Sequence, residues 1–253
     1  MMKPDIPAIA VENLTARYGE RTILEGVTCA VRPGEVFLII GGSGCGKSTL
    51  LKYMIGLYTP AVGRVCVHGI DLSTLDEEAL LGMRKGMGVL FQSGALIGSM
   101  TLFENVALPL SEHTRLPDET IARIVRMKLA LVDLAGYENL YPAELSGGMK
   151  KRAGLARAMA LDPKILFFDE PSSGLDPVSS AELEATITRI NRGTGTTMVI
   201  VSHDLDLIFH IAHRMVLLDG ETRGIIAEGD PHQLRETSRD RRVIRFLNRT
   251  IEE

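Results

Sequence analysis

The chain has 253 residues, 45% of them hydrophobic and 24% charged, the composition of a folded body of one large or two small domains. It excludes disordered, collagen-like and coiled-coil classes. Lys and Arg number 28 against 32 Asp and Glu, a formal charge of -4, which argues against a surface that neutralises a phosphate backbone, so no nucleic-acid partner is expected. No apolar run approaches the ~20 residues of a spanning helix. The opening MMKPDIPAIA lacks the basic-then-apolar order of a secretory leader, so a cytoplasmic location is expected. Cys29, Cys45 and Cys66 show no metal-ligand spacing and fit reduced thiols.

Residues 8–34 alternate enough to predict short strands joined by glycine turns, and residues 63–72 (GRVCVHGIDL) read as another strand. A small antiparallel layer is expected there. Residues 36–40 (VFLII), 88–91 (GVLF), 165–168 (ILFF) and 198–201 (MVIV) are instead continuously apolar. Such runs mark strands buried on both faces, as in a parallel sheet wrapped by helices, so the fold class reads as α/β. They end on a glycine cluster, on Gln92, on Asp169 and Glu170, and on Ser202 and His203. Ligands of open α/β sheets bind beyond the carboxyl ends of the strands, so four strand ends nominate one site. Between Gln92 and Ile165 the pattern turns helical: Ile121, Ile124, Val125, Leu129 and Val132 predict a helix over residues 117–135 with Gly136 as its stop. A helical subdomain, about residues 94–162, is therefore expected to interrupt the core.

Residues 41–49 (GGSGCGKST) satisfy G-x-x-x-x-G-K-[ST] through Gly41, Gly46, Lys47 and Ser48, after a buried strand and before a helix expected to run to about Gly56. The backbone N–H groups of Gly41, Gly42, Ser43, Gly44, Cys45 and Gly46 can turn inward around phosphates on the positive end of that helix, which continues through Thr49. Lys47 reaches the β- and γ-phosphates, and Ser48 ligates Mg2+. Cys45 is read as a small residue that fits the turn, with a redox role as the competing reading.

At the end of the 165–168 run, one of Asp169 and Glu170 can hold the Mg2+ shell while its neighbour orients the attacking water. Two roles stay open for Glu170: taking the proton, or only polarising the water. Given a nucleotide, Gln92 reads as a neutral ligand for Mg2+ or water, and His203 as a hydrogen-bond partner of the γ-phosphate or of Glu170. A second glycine cluster, Ser146, Gly147 and Gly148 after Leu145, opens a helix expected to reach about Leu161 before Pro163, and makes a second anion cradle. Lys150, Lys151 and Arg152 follow in or near its first turn, where cations oppose the helix dipole by ~0.3–1 kcal/mol each. They read either as partners of an anion or as solvated charges on an exposed face.

In this order the motifs resemble the ATP-binding-cassette (ABC) ATPases over about residues 8–235. The resemblance implies a RecA-like P-loop NTPase core with an N-terminal antiparallel layer and an inserted helical subdomain over residues 1–235, binding ATP with Mg2+. It makes Glu170 the catalytic carboxylate, Gln92 the Q-loop residue, His203 the switch histidine, and Ser48, Gln92 and Asp169 the Mg2+ ligands. Tyr18 matches the aromatic that stacks on adenine, although its own context equally suits a packed strand residue. The resemblance also explains the two cradles. Two copies pair head to tail, and Ser146, Gly147 and Gly148 of one close on the γ-phosphate held by residues 41–49 of the other. Two rival classes are a phosphate-loop kinase, which would need a lid and an acceptor site, and a soluble non-transport cassette of repair or translation type.

Residues 89–110, 145–163 with Met149, 168–180 and 242–247 (RVIRFL) are most similar to the ATPases of Mla-type lipid transporters. That similarity implies phospholipid transport with permease subunits, an MCE-domain protein and a small regulatory subunit, at the cytoplasmic face of the inner membrane. An importer of another small solute is the alternative. Ala95, Leu96, Ile97, Met100, Leu102 and Phe103 are expected to offer the permease an apolar groove, about half of them packing the subdomain instead. The tail, residues 236–253, predicts a basic amphipathic helix with Val243, Phe246, Leu247 and Ile251 on one face. It docks either on its own core or on a membrane or partner.

Overall fold

The structure is a computed structural model that describes residues 6–249. In chain order its elements are β1 (Ile9–Tyr18), β2 (Arg21–Val31), β3 (Val36–Gly41), α1 (Lys47–Met54), β4 (Val62–Val67), β5 (Ile70–Asp71), α2 (Glu77–Lys85), β6 (Met87–Leu90), α3 (Leu102–His113), α4 (Asp118–Leu131), α5 (Gly147–Ala158), β7 (Ile165–Asp169), α6 (Pro177–Thr194), β8 (Thr197–Val201), α7 (Leu205–Ile211), β9 (Arg214–Asp219), β10 (Gly224–Gly229), α8 (Pro231–Thr237) and α9 (Arg241–Asn248). The chain divides into two compact units, Met1–Leu81 with Thr197–Glu253, and Gly82–Thr196. Among the described residues no helix is long and apolar enough to cross a membrane.

In the first unit, β3 and β8 are buried along their whole length because every residue is apolar, small or hydroxyl-bearing. β3 runs parallel to β8 on one side and to β9 on the other, and β10 closes the β9 edge antiparallel. Phe37, Leu38, Ile39 and Ile40 are inaccessible to solvent, and each buried side chain of this size stabilises the fold by about 1.5–3 kcal/mol. The predicted antiparallel layer is present, in the order β2-β1-β4-β5. Residues 63–72 are a hairpin rather than one strand, because His68 (φ 50) and Gly69 (φ 81) turn the chain between β4 and β5.

The tail forms α9, whose Val243 and Leu247 are buried on its own unit. Arg242 Nη1 donates to Asp219 Oδ2 at 3.1 Å, at the end of β9. Docking on the core is thus the outcome for this helix, which ends at Asn248 and is followed by Arg249 as a left-handed cap with φ 53; Ile251, assigned to the same face, lies outside the described residues.

In the second unit β6 and β7 pair in parallel, and α3, α4 and α5 pack together around Leu102, Val106, Val125, Leu129, Ala153 and Leu155. α3 starts at a capping box: Thr101 Oγ1 accepts the Glu104 N–H, and Glu104 accepts the Thr101 N–H. The helix predicted over residues 117–135 starts one residue later and stops at Leu131. Asp133 adopts φ 59, the Leu134 and Asp133 N–H groups close on the carbonyls of Leu129 and Ala130, and Arg189 Nη2 donates to both Leu131 O and Asp133 Oδ2. That left-handed cap stops the helix before Gly136 is reached. The helix after Ser146 likewise ends at Ala158, short of Leu161.

Candidate active site

The first unit carries the phosphate loop. A Cβ on Gly41 (φ 149) would lie 2.4 Å from the Leu218 carbonyl oxygen and 2.6 Å from Cys45 Sγ, so the loop leaves β3 flush against β9 and only glycine fits. Gly46 caps α1 without a side chain, and the first turn of α1 contributes no acidic residue of its own against the positive end of the helix dipole. Lys47 is 9% exposed. Its Nζ donates to the carbonyl oxygens of Gly41 and Gly42 at 3.0 Å each, folding the ammonium over the loop. Ser48 and Thr49 follow, half-buried, on the first turn. Cys45 is buried, which pushes its thiol pKa up against the opposing pull of the Lys47 charge, an environment that suits a small residue fitting the turn.

Strand register carries His203 to the same end of the first unit. Val201 pairs Ile39, two residues before Gly41, and Ser202 donates its N–H to Ile39 O at 3.2 Å before the chain turns outward at the exposed His203. Tyr18 ends β1 and is 45% exposed, edge-on to Tyr58 with ring centroids 6.0 Å apart. That is not the packed strand residue its local sequence equally suited.

The second unit holds the carboxylates and the second cradle. Leu90 pairs Phe168 in register, which brings Gln92 and Glu170, each two residues further on, off the same end of the β6–β7 pair. Asp169 and Glu170 are half-buried, and Glu170 has φ 50. Gln92 Nε2 donates to Ser173 Oγ at 3.1 Å, and the Ser173 N–H donates to Glu170 O at 3.2 Å. Ser146 caps α5 by accepting the Met149 N–H at 3.2 Å; Ser146 and Gly147 are exposed while Gly148 is packed against Ser179. The three basic residues that follow have different fates. Arg152 reaches Glu182 at 3.5 Å, Lys150 is half-buried, and Lys151 is buried with its Nζ on the carbonyls of Gln92 and Glu170. Burial holds the Lys151 pKa below the usual lysine range, with the Glu170 charge opposing.

Two structural residues of the loop after Gln92 escaped the sequence reading. Asn105 is inaccessible and bonds the backbone of Ile97, Met100 and Thr101; its signal was an amide three residues after Leu102 on the apolar stripe of α3. Arg157 donates to the carbonyls of Ala95 and Gly94. Of the residues expected to form an apolar groove, Leu102 is core, Leu96, Met100 and Phe103 are half-buried, and Ala95 and Ile97 are exposed.

A glycine-rich loop after a buried parallel strand, with its lysine folded over it, together with an acidic pair ending a second such strand, defines a P-loop nucleoside triphosphatase. The chain belongs to the ABC transporter family, whose family model matches residues 24–173. It is 44% identical over 239 residues to the intermembrane phospholipid transport system ATP-binding protein MlaF of Haemophilus influenzae, covering 94% of this chain and 89% of that one. It is also 44% identical over 241 residues to the probable ribonucleotide transport ATP-binding protein mkl of Mycobacterium tuberculosis, covering 95% of this chain and 66% of that one. Among solved structures, a dimeric ABC cassette in a post-hydrolysis state bound to ADP and Pi superposes with a TM-score of 0.79 at 30% identity, over 88% of this chain and 98% of that one.

Proposed function

We propose that the chain is the ATP-hydrolysing subunit of a transporter that moves phospholipid between membranes, working with permease subunits, an MCE-domain protein and a small regulatory subunit at the cytoplasmic face of the inner membrane. The observation that carries the lipid reading is the similarity to MlaF across almost the whole of both chains. In this reading residues 1–235 are the ATPase domain, residues 94–162 the inserted subdomain that meets the permease, and residues 236–253 the tail.

The N–H groups of residues 41–46 and the α1 dipole bind the ATP phosphates, Lys47 swings from its carbonyls to the β- and γ-phosphates, and Tyr18 stacks on adenine through its exposed face. Ser48, Asp169 and Gln92 offer a hydroxyl, a carboxylate and an amide oxygen, a hard donor set that suits Mg2+. Held by these residues, Mg2+ would supply positive charge to offset the charge that develops on the transferred phosphoryl group. Glu170 orients and polarises the attacking water, His203 bonds the γ-phosphate, and Ser146, Gly147 and Gly148 of a second copy close the site, so hydrolysis depends on dimer closure. Glu170→Gln is expected to keep ATP, hold the dimer closed and lose about 100-fold or more in turnover; an unchanged rate would remove Glu170 from the mechanism.

The likeness to mkl, named for ribonucleotide transport, favours a second cargo class, a small solute. Purification with the membrane partners, followed by mass spectrometry of the bound molecules, separates the two. Co-purifying phospholipid supports the proposal, and a bound polar solute without lipid overturns it.

A further inference from the structure

Lys151 sits on α5, yet it is only 5% exposed. A buried ammonium is costly unless its donors are used, and here they serve two backbone carbonyls, those of Gln92 and, at 3.4 Å, Glu170. The same helix grips the loop after Gln92 twice more. Arg157 Nη1 donates to Ala95 O at 2.7 Å and Nη2 to Gly94 O at 3.2 Å. Gly154 lets the helix approach, since a Cβ there would lie 2.9 Å from Gly94 O and 2.8 Å from Leu90 Cδ1. Glu170 holds a left-handed backbone (φ 50), a conformation unfavourable for a residue with a side chain that persists only when its surroundings over-determine it. Its carbonyl takes both the Ser173 N–H and the Lys151 ammonium.

We propose that Lys151 is a positioning residue that ties the loop after Gln92 to the backbone from which the Glu170 carboxylate projects. The clamp fixes where the Glu170 carboxylate stands relative to the attacking water, so its loss falls on the rate of hydrolysis rather than on the binding of ATP. The inference rests on the roles given to Glu170 and Gln92 above.

Lys151→Met keeps the length and apolar stem of the side chain and removes the charged donor. It is expected to lower kcat about 10-fold or more, as small misplacements near reacting groups do, with the KM for ATP within about twofold of wild type. Lys151→Arg should restore most of the loss. In a Glu170→Gln background, adding Lys151→Met should leave the residual single-turnover rate unchanged, because the group that Lys151 positions is already disabled. If Lys151→Met fails to fold, Lys151→Gln carries the same test, with an intermediate kcat and unaltered KM expected. A wild-type kcat in whichever variant folds, or a loss that multiplies with Glu170→Gln, overturns the proposal. Should Glu170→Gln itself leave the rate unchanged, the assignment of Glu170 fails and Lys151 falls with it. A disabling Glu170→Gln beside a harmless Lys151→Met sinks the Lys151 inference alone.

Discussion

Adjacent glycines of the phosphate loop differ sharply in what a methyl group would meet. At Gly41 a Cβ would sit 2.4 Å from a backbone oxygen and 2.6 Å from Cys45 Sγ, at φ 149; at Gly42 nothing lies within 4 Å. The Leu218 carbonyl belongs to β9, which pairs β3 through Gly41↔Leu218, so it cannot retreat without loosening that register. Gly41→Ala therefore meets two costs, about 1–3 kcal/mol for a glycine-only backbone conformation and about 1–3 kcal/mol for overpacking. The total, about 2–6 kcal/mol, is a large part of a typical domain's ~5–15 kcal/mol and corresponds to a Tm lowered by roughly 5–20 °C for a chain of this size. Gly42→Ala is expected within about 0.5 kcal/mol of wild type, as for a surface substitution without strain. Thermal and urea unfolding of the two variants side by side provides the assay, with ATP titration following the loop itself. Equal stability of Gly41→Ala and Gly42→Ala would refute the idea that the loop is seated on β9.

Lys47→Ala should weaken ATP binding itself, and wild-type affinity would count against the phosphate loop. Ser146→Arg should abolish turnover as a homodimer, while an equal mixture with Lys47→Ala should recover no more than about one quarter of the wild-type rate, since only the mixed dimers keep one intact shared site; full recovery would contradict sharing between copies. Bonds from Arg242 hold the Asp240 carboxyl pKa down to about 2. A depressed folded-state pKa contributes stability that is complete above the unfolded value of about 3.9 and is lost as pH falls toward about 2. Asp240→Asn should thus flatten the acid limb of the unfolding profile between those values, and an unchanged limb in urea titrations from pH 5 to 2 would contradict the Arg242 contact.

Local sequence determined a good deal of this protein because the relevant physics is local. Three of the four continuous apolar runs, residues 36–40, 165–168 and 198–201, are strands buried on both faces, whereas in the fourth Val89 is half-buried and Phe91 lies exposed beyond the end of β6; a glycine-rich loop between a buried strand and a helix has few uses besides holding phosphate. The antiparallel layer and the strand-end residues Gln92, Glu170 and His203 were legible in the same way. Element ends were not, because a cap is set by distant partners. Arg189, far along the chain, stabilises the left-handed turn at Asp133 that stops α4 before Gly136.

The fate of charges lay furthest from the sequence. Lys150, Lys151 and Arg152 are three basic residues in a row, and nothing in their spacing separates a solvated face from a buried clamp. Only the packing of α5 against the loop after Gln92 sends Lys151 inward to two carbonyls and leaves Arg152 for Glu182. The tail was similarly undecided by its amphipathic pattern, which suits a membrane as well as a core, until burial of Val243 and Leu247 and the Arg242–Asp219 pair placed α9 on its own unit. Periodicity states which face of a helix is apolar; what covers that face, and which acceptors a buried cation finds, are properties of segments brought together from elsewhere in the chain.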